Sequence, residues 1–190
     1  DCVFILFDKN DLEEVSNFSN NLTYAKNDLK RIKDFYNFIF SKLVFLEKSK
    51  IFLSNLSAYE NTEFFSYQKK VKNNKNELIN NLNNYILKNS KKYNFNLVDV
   101  DLYSKQFGLF ETQDAVKFYL GKIPFSQEFA EFFFNVLSNF VLTSFGKIKK
   151  VLILDLDGTI WGGILGDDGY NNIKIDNETP EGKIFFDFQK

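Results

Sequence analysis

Apolar positions along the chain follow two rhythms. Cys2, Val3, Phe4, Ile5, Leu6 and Phe7 form an unbroken apolar run that stops at Asp8. A run this short, with β-branched members, suits a strand buried on both faces. Ile51, Phe52 and Leu53 make a second such run, and residues 95–100, with polar Asn96 and Asp99 among them, a third strand candidate. Val151, Leu152, Ile153 and Leu154 make the strongest. Between these runs the spacing changes to three and four. Leu29, Ile32, Phe35, Tyr36, Ile39, Phe40, Leu43 and Leu46 mark an amphipathic helix. Val71, Leu78, Leu82, Tyr85 and Ile86 place a more polar helix over residues 64–93. Phe125, Phe129, Phe132, Phe133, Val136, Leu137, Phe140 and Val141 form a strongly apolar stripe, with Pro124 before it and Gly146 after it as punctuation. Thr179 and Pro180 read as an N-cap and first helical residue for a helix over 181–190. Residues 10–21 are polar and turn-forming, and 55–60 read as a loop.

Strands alternating with helices predict an α/β fold with a parallel sheet. The best boundary falls near Gly146, giving a domain over residues 1–146 and a second over 147–190 that is too short to close a core alone. Lys147, Lys149 and Lys150 sit in a short basic linker. No repeat of 20–50 residues is visible.

Composition narrows the function classes. The 24 Lys and Arg against 25 Asp and Glu leave a net charge of −1, so no basic surface argues for nucleic acid or an anionic membrane. No apolar run approaches the roughly 18 residues of a bilayer span. The chain has no His, which excludes a Ser-His-Asp or Cys-His arrangement and a histidine metal site within these residues. The lone Cys2 excludes an internal disulfide or cysteine zinc cluster and is compatible with a cytoplasmic setting. With no Met, residue 1 is not a translation start, and the last helix runs off the end, so the chain is expected to be part of a longer one.

The chemistry sits in residues 151–159. A buried strand would deliver Asp155 and Asp157 at its C-terminal end, where open α/β sheets bind their ligands. Two close acids repel unless a cation binds between them, and an oxygen-only donor set favours Mg²⁺. Gly158 lets the backbone turn close to a phosphate, Thr159 adds a hydroxyl, and the loop N–H groups can face anionic oxygens.

The segment Asp155, Leu156, Asp157, Gly158, Thr159 resembles motif I of the haloacid-dehalogenase (HAD) superfamily. The resemblance implies that Asp155 is the nucleophile, forming an aspartyl-phosphate. It implies that Asp157 is the general acid/base, with its backbone carbonyl helping Asp155 to bind Mg²⁺. Trp161, Gly162 and Gly163 follow at once, then Thr179, Pro180, Glu181 and Gly182, with Tyr119, Leu120, Gly121 and Lys122 upstream. This order is similar to the FkbH-like branch, subfamily IIIC, although Gly158 stands where many members carry Asn. That branch implies an SGNH-hydrolase-like or flavodoxin-like α/β domain, followed here by the first strand and loop of a Rossmann-like HAD domain. Gly158, Thr159, Trp161, Gly162 and Gly163 are then expected to face the phosphorylated small-molecule substrate.

The best-known members of the branch take a glyceryl group from 1,3-bisphosphoglycerate, remove its phosphate and load it on an acyl carrier protein, which the resemblance implies for the full-length protein. Two alternatives stand beside that reading: a HAD phosphatase acting on a sugar phosphate in surface-polysaccharide synthesis, and a non-catalytic module that binds a carrier protein. The later HAD motifs would lie beyond Lys190, so the 190-residue chain alone is expected to show no turnover. Asp99 and Asp101, at the end of the third strand, form a second acidic pair and read as a strand-end loop.

Overall fold

A computed structural model describes residues 1–8, 11–12, 24, 26–58 and 70–190. Strands β1 (Cys2–Ile5), β2 (Lys50–Ser54) and β3 (Asn96–Val98) form a parallel sheet in that order. Val3 lies opposite Ile51, and Phe52 opposite Asn96. The α/β class and parallel sheet expected from the strand–helix alternation are therefore present.

The alternation along β2 divides the core in two. Ile51 and Leu53 join one cluster with Ile32, Tyr36 and Phe40 of helix α1 (Lys26–Leu43) and Leu78, Leu82 and Ile86 of helix α2 (Lys75–Lys92). Phe52 points to the other face and joins Phe129, Phe133 and Leu137. Those three lie on helix α5 (Gln127–Ser144), the Phe-rich stripe of the sequence. A central strand covered on both faces needs apolar side chains at successive positions, which is why β2 reads as a continuous run rather than an alternating one.

The helix expected over 64–93 is shorter. It starts at Lys75, and residues 64–69 lie outside those described. Asn73 takes a left-handed φ of 58° and Asn74 an extended ψ of 164°, so the helix cannot continue backwards through them. Asn74 accepts the Glu77 amide at 2.9 Å, and Glu77 reaches back to the Asn73 amide at 2.8 Å. Val71 therefore precedes the helix. The polar stretch expected over 10–21 lies almost wholly outside the described residues.

Two short helices carry no expectation from the sequence rhythm: α3 (Val100–Phe107) and α4 (Ala115–Gly121). Each begins at an Asp whose side chain accepts backbone N–H groups, Asp99 from Leu102 and Asp114 from Val116 and Lys117. The amide of Lys117, then that of Val116, holds the Asp114 carboxyl below the usual carboxylate range. Asp99 also accepts the Asn55 side-chain amide at 2.7 Å, while Asn55 accepts the Asp101 amide at 3.1 Å. The second acidic pair thus ties the ends of β2 and β3 together.

The expected strand at residues 151–154 does not form. Among the described residues no neighbour makes a ladder with it, and Val151, Leu152 and Ile153 are 75%, 79% and 89% exposed. The run has the composition of a buried strand, but a strand exists only where an adjacent chain completes its N–H and C=O pairing.

The chain divides into two compact units, Asp1–Val141 and Leu142–Lys190. Among the described residues no helix is long and apolar enough to cross a membrane. In the second unit, helix α6 (Leu165–Asp168) is a single turn, and α7 (Pro180–Phe188) opens as the sequence implies. Thr179 accepts the Gly182 amide at 3.0 Å, and Pro180 takes the first helical position. Asp176 binds the turn before α7, accepting the amides of Glu178 and Thr179 and the Thr179 hydroxyl. Those donors, the Thr179 amide first, hold its carboxyl below the usual range.

Gly182 is buried against this knot. A Cβ there would stand 2.1 Å from Asp176 Oδ2 and 2.8 Å from the Asp176 backbone nitrogen. Helix propensity alone favours Ala over Gly by about 1 kcal/mol. Gly182→Ala should nevertheless destabilise the second unit by about 1–3 kcal/mol, because backbone as well as side chain must move. Thermal or denaturant unfolding checks the sign, and a more stable Gly182→Ala protein would contradict it.

Candidate active site

The sequence pointed to residues 155–163, and the structure gathers them in one loop of the second unit. After the extended run the chain turns sharply. The Leu156 carbonyl accepts the amides of Thr159 at 3.2 Å and Ile160 at 2.8 Å. Gly158 occupies the turn with φ 70°. Asp155 and Asp157, on either side of Leu156, are both exposed.

The two acids have different surroundings. Asp155 Oδ1 accepts the adjacent Leu156 amide at 2.8 Å, and no hydrogen bond from the described residues reaches Oδ2. Asp157 Oδ1 accepts two donors, the Trp161 indole N–H at 2.9 Å and the Leu165 amide at 3.0 Å. Asp155 is the open carboxylate and Asp157 the oriented one.

Behind the turn the chain makes a small flap. Gly162 and Lys174 exchange backbone hydrogen bonds of 3.0 and 2.8 Å in an antiparallel bridge. A Cβ on Gly162 would stand 2.8 Å from the Phe185 ring and 3.1 Å from Lys174 Cβ. Only a residue without a side chain lets the flap pack on α7 at this point. Asp168 accepts the Ile164 amide at 2.8 Å, closing the single turn of α6. Lys174 pairs with Glu181 of α7, and this carboxylate raises the Lys174 pKa. The Gln189 amide donates to the Ile160 carbonyl at 2.7 Å.

The substrate-facing candidates thus divide. Gly158 and Thr159 lie in the turn beside the acids. Gly162 sits beneath it, against Phe185. Gly163, with φ 98°, faces Asp168, whose Oδ2 would be 2.8 Å from an added Cβ. Trp161 is half-buried and turns its indole N–H to Asp157. No residue type signals the Leu165 amide, because any residue other than proline supplies one.

Among the described residues no group of three or more His, Cys, Asp or Glu side chains could hold a metal ion. The donors near the motif are oxygens: the carboxylates of Asp155 and Asp157 and the backbone carbonyls beside them. Such a set fits Mg²⁺, which keeps several waters and takes one or two carboxylates together with substrate phosphate.

The first unit contains a separate cavity of about 500 Å³ lined by Phe107, Glu111, Gln113, Asp114, Ser126 and Glu128. Its acidic lining would not favour a phosphate.

No family model matches the chain, and no curated protein does. Among solved structures, it is similar to the crystal structure of the N-terminal part of the protein BF1531 from Bacteroides fragilis, which contains a phosphatase domain complexed with Mg. The two share 27% identity with a TM-score of 0.78. The match covers 100% of this chain and 49% of that one, so the chain spans about half the length of its structural relative.

Proposed function

We propose that the chain belongs to a Mg²⁺-dependent phosphatase or phosphotransferase that works through an aspartyl-phosphate on Asp155. The observation that carries this reading is the asymmetry of the two acids: Asp155 accepts one hydrogen bond, from the adjacent Leu156 amide, while Asp157 is held by two N–H groups from further along the chain. Similarity over the whole chain to a structure with a Mg-bound phosphatase domain supports it.

In this reading an Asp155 oxygen attacks phosphorus as the bond to the leaving oxygen breaks. Asp157 gives that oxygen its proton. In the second step water attacks the same phosphorus and passes a proton to Asp157, and the acyl–phosphate bond breaks to regenerate the Asp155 carboxylate. When bound, Mg²⁺ neutralises charge between the carboxylate and the phosphate. The Asp155 carboxylate and the Asp157 carbonyl would hold it. Thr159 and the N–H groups of the turn would face the phosphoryl oxygens.

The finer reading follows the resemblance to the FkbH-like branch, with an SGNH-like domain over residues 1–146 and the HAD portion from 147. The full-length protein would move a glyceryl group from 1,3-bisphosphoglycerate to an acyl carrier protein. Incubating the full-length protein with Mg²⁺, that donor and a carrier protein should give a glyceryl adduct by mass spectrometry, lost on chelation and restored by added Mg²⁺. Hydrolysis of sugar phosphates with no adduct would reject the transfer reading and keep the phosphatase. Metal-independent activity would reject the role of Mg²⁺.

A further inference from the structure

We infer that Trp161 is a positioning residue for Asp157: with the Leu165 amide it fixes Oδ1 and leaves Oδ2 as the oxygen that exchanges the proton. The inference rests on the phosphatase reading above. Rotation about the last torsion of an aspartate is soft, so a carboxylate on an exposed loop would present either oxygen in turn. Here two donors converge on one oxygen, the Trp161 Nε1 at 2.9 Å and the Leu165 nitrogen at 3.0 Å. No hydrogen bond from the described residues reaches Oδ2. An indole has one polar atom, a donor, which seeks a partner when the ring is partly buried. The donors lie four and eight residues beyond Asp157, on the flap closed by the Gly162–Lys174 bridge. The orientation of the acid is therefore tied to the closure of that flap.

Two substitutions remove one donor each. Trp161→Phe keeps an aromatic ring without the N–H. Leu165→Pro removes the amide at the first residue of α6, where Pro is tolerated, and Ile164 already has φ −113° and ψ 112°, which suit the residue before Pro. The readout is the pre-steady-state release of phenols from substituted phenyl phosphates by the full-length Mg²⁺-loaded protein. Departing phenol needs a proton, whereas 4-nitrophenol needs almost none. Each variant should slow phenyl phosphate by about tenfold, a fraction of what general acid catalysis supplies, and 4-nitrophenyl phosphate by less than about threefold. Losses independent of the leaving group, or no loss, would overturn the inference. In the full-length protein the Trp161 indole N–H resonance, assigned by its loss in Trp161→Phe, should also shift on Asp157→Ala. An unmoved resonance would overturn it too. Asp155→Asn separates the two claims: a burst that survives it defeats the phosphatase reading and this inference together. A burst lost with Asp155→Asn, but with equal losses across leaving groups in the Trp161 and Leu165 variants, defeats this inference alone.

Discussion

Asp155→Asn is expected to reduce phosphate release by the full-length protein by about four orders of magnitude or more, the scale seen when a nucleophile is removed. The change is nearly isosteric. The one hydrogen bond that the described residues give the Asp155 side chain, from the Leu156 amide, can be kept by the Asn carbonyl oxygen. The exposed position carries no packing cost, so folding should be unchanged. What disappears is the anionic oxygen that attacks phosphorus. Asp157→Asn should behave differently. It removes proton transfer, worth about 10²–10⁴-fold, and leaves the nucleophile in place. Phosphoenzyme should then still form from a substrate with a good leaving group. Steady-state release from 4-nitrophenyl phosphate and from an alkyl phosphate, with each variant, reads both effects. A non-catalytic carrier-binding module would show no dependence on either acid.

Phe40→Ala should destabilise the first unit by about 3–5 kcal/mol, as large-to-small changes in aromatic cores do. Phe40 is fully buried, and its ring lies 5.9 Å from Tyr36, 6.2 Å from Tyr85, 5.2 Å from Tyr93 and 5.6 Å from Phe95. It therefore links α1, α2 and the approach to β3. The neighbouring Tyr36 hydroxyl is buried with no hydrogen-bond partner among the described residues, and burial, then the Asp11 charge, pushes its ionisation well above the usual tyrosine range. This cluster has little polar compensation to offer a cavity. Phe45→Ala, by contrast, removes a ring that is 81% exposed and should cost less than about 1 kcal/mol. Equilibrium unfolding in denaturant compares the two. Equal losses would mean that the Phe40 cluster is not the core of this unit.

The sequence was most readable where one rhythm held for several turns. Helices α1 and α5 follow their three-and-four spacing, and β2 follows its continuous run. The caps of α7 at Thr179 and Pro180 were visible as residue types. The start of α2 was hidden because Asn73 and Asn74 lie in an Asn-rich stretch, where one left-handed residue cannot be told from its neighbours. Helices α3 and α4 are too short to establish a period, and without one Asp99 reads as part of a strand-end loop rather than as a cap. Residues 151–154 show the reverse failure: strong local preference, with no ladder partner among the described residues. At the candidate site, the acids and glycines could be read as a motif. The hydrogen bonds from Trp161 and Leu165 to one oxygen of Asp157 could not, since a backbone amide leaves no trace in a sequence.

The central claim is that Asp155 takes the phosphoryl group. The direct measurement is acid quenching of the full-length protein during turnover with ³²P-labelled substrate and Mg²⁺, followed by borohydride reduction and peptide mapping. The account predicts label that is stable in acid and labile in base. It also predicts conversion of residue 155 to homoserine, and no label in Asp155→Asn. Label on another residue, or turnover with no covalent phosphate in the wild-type protein, would contradict it.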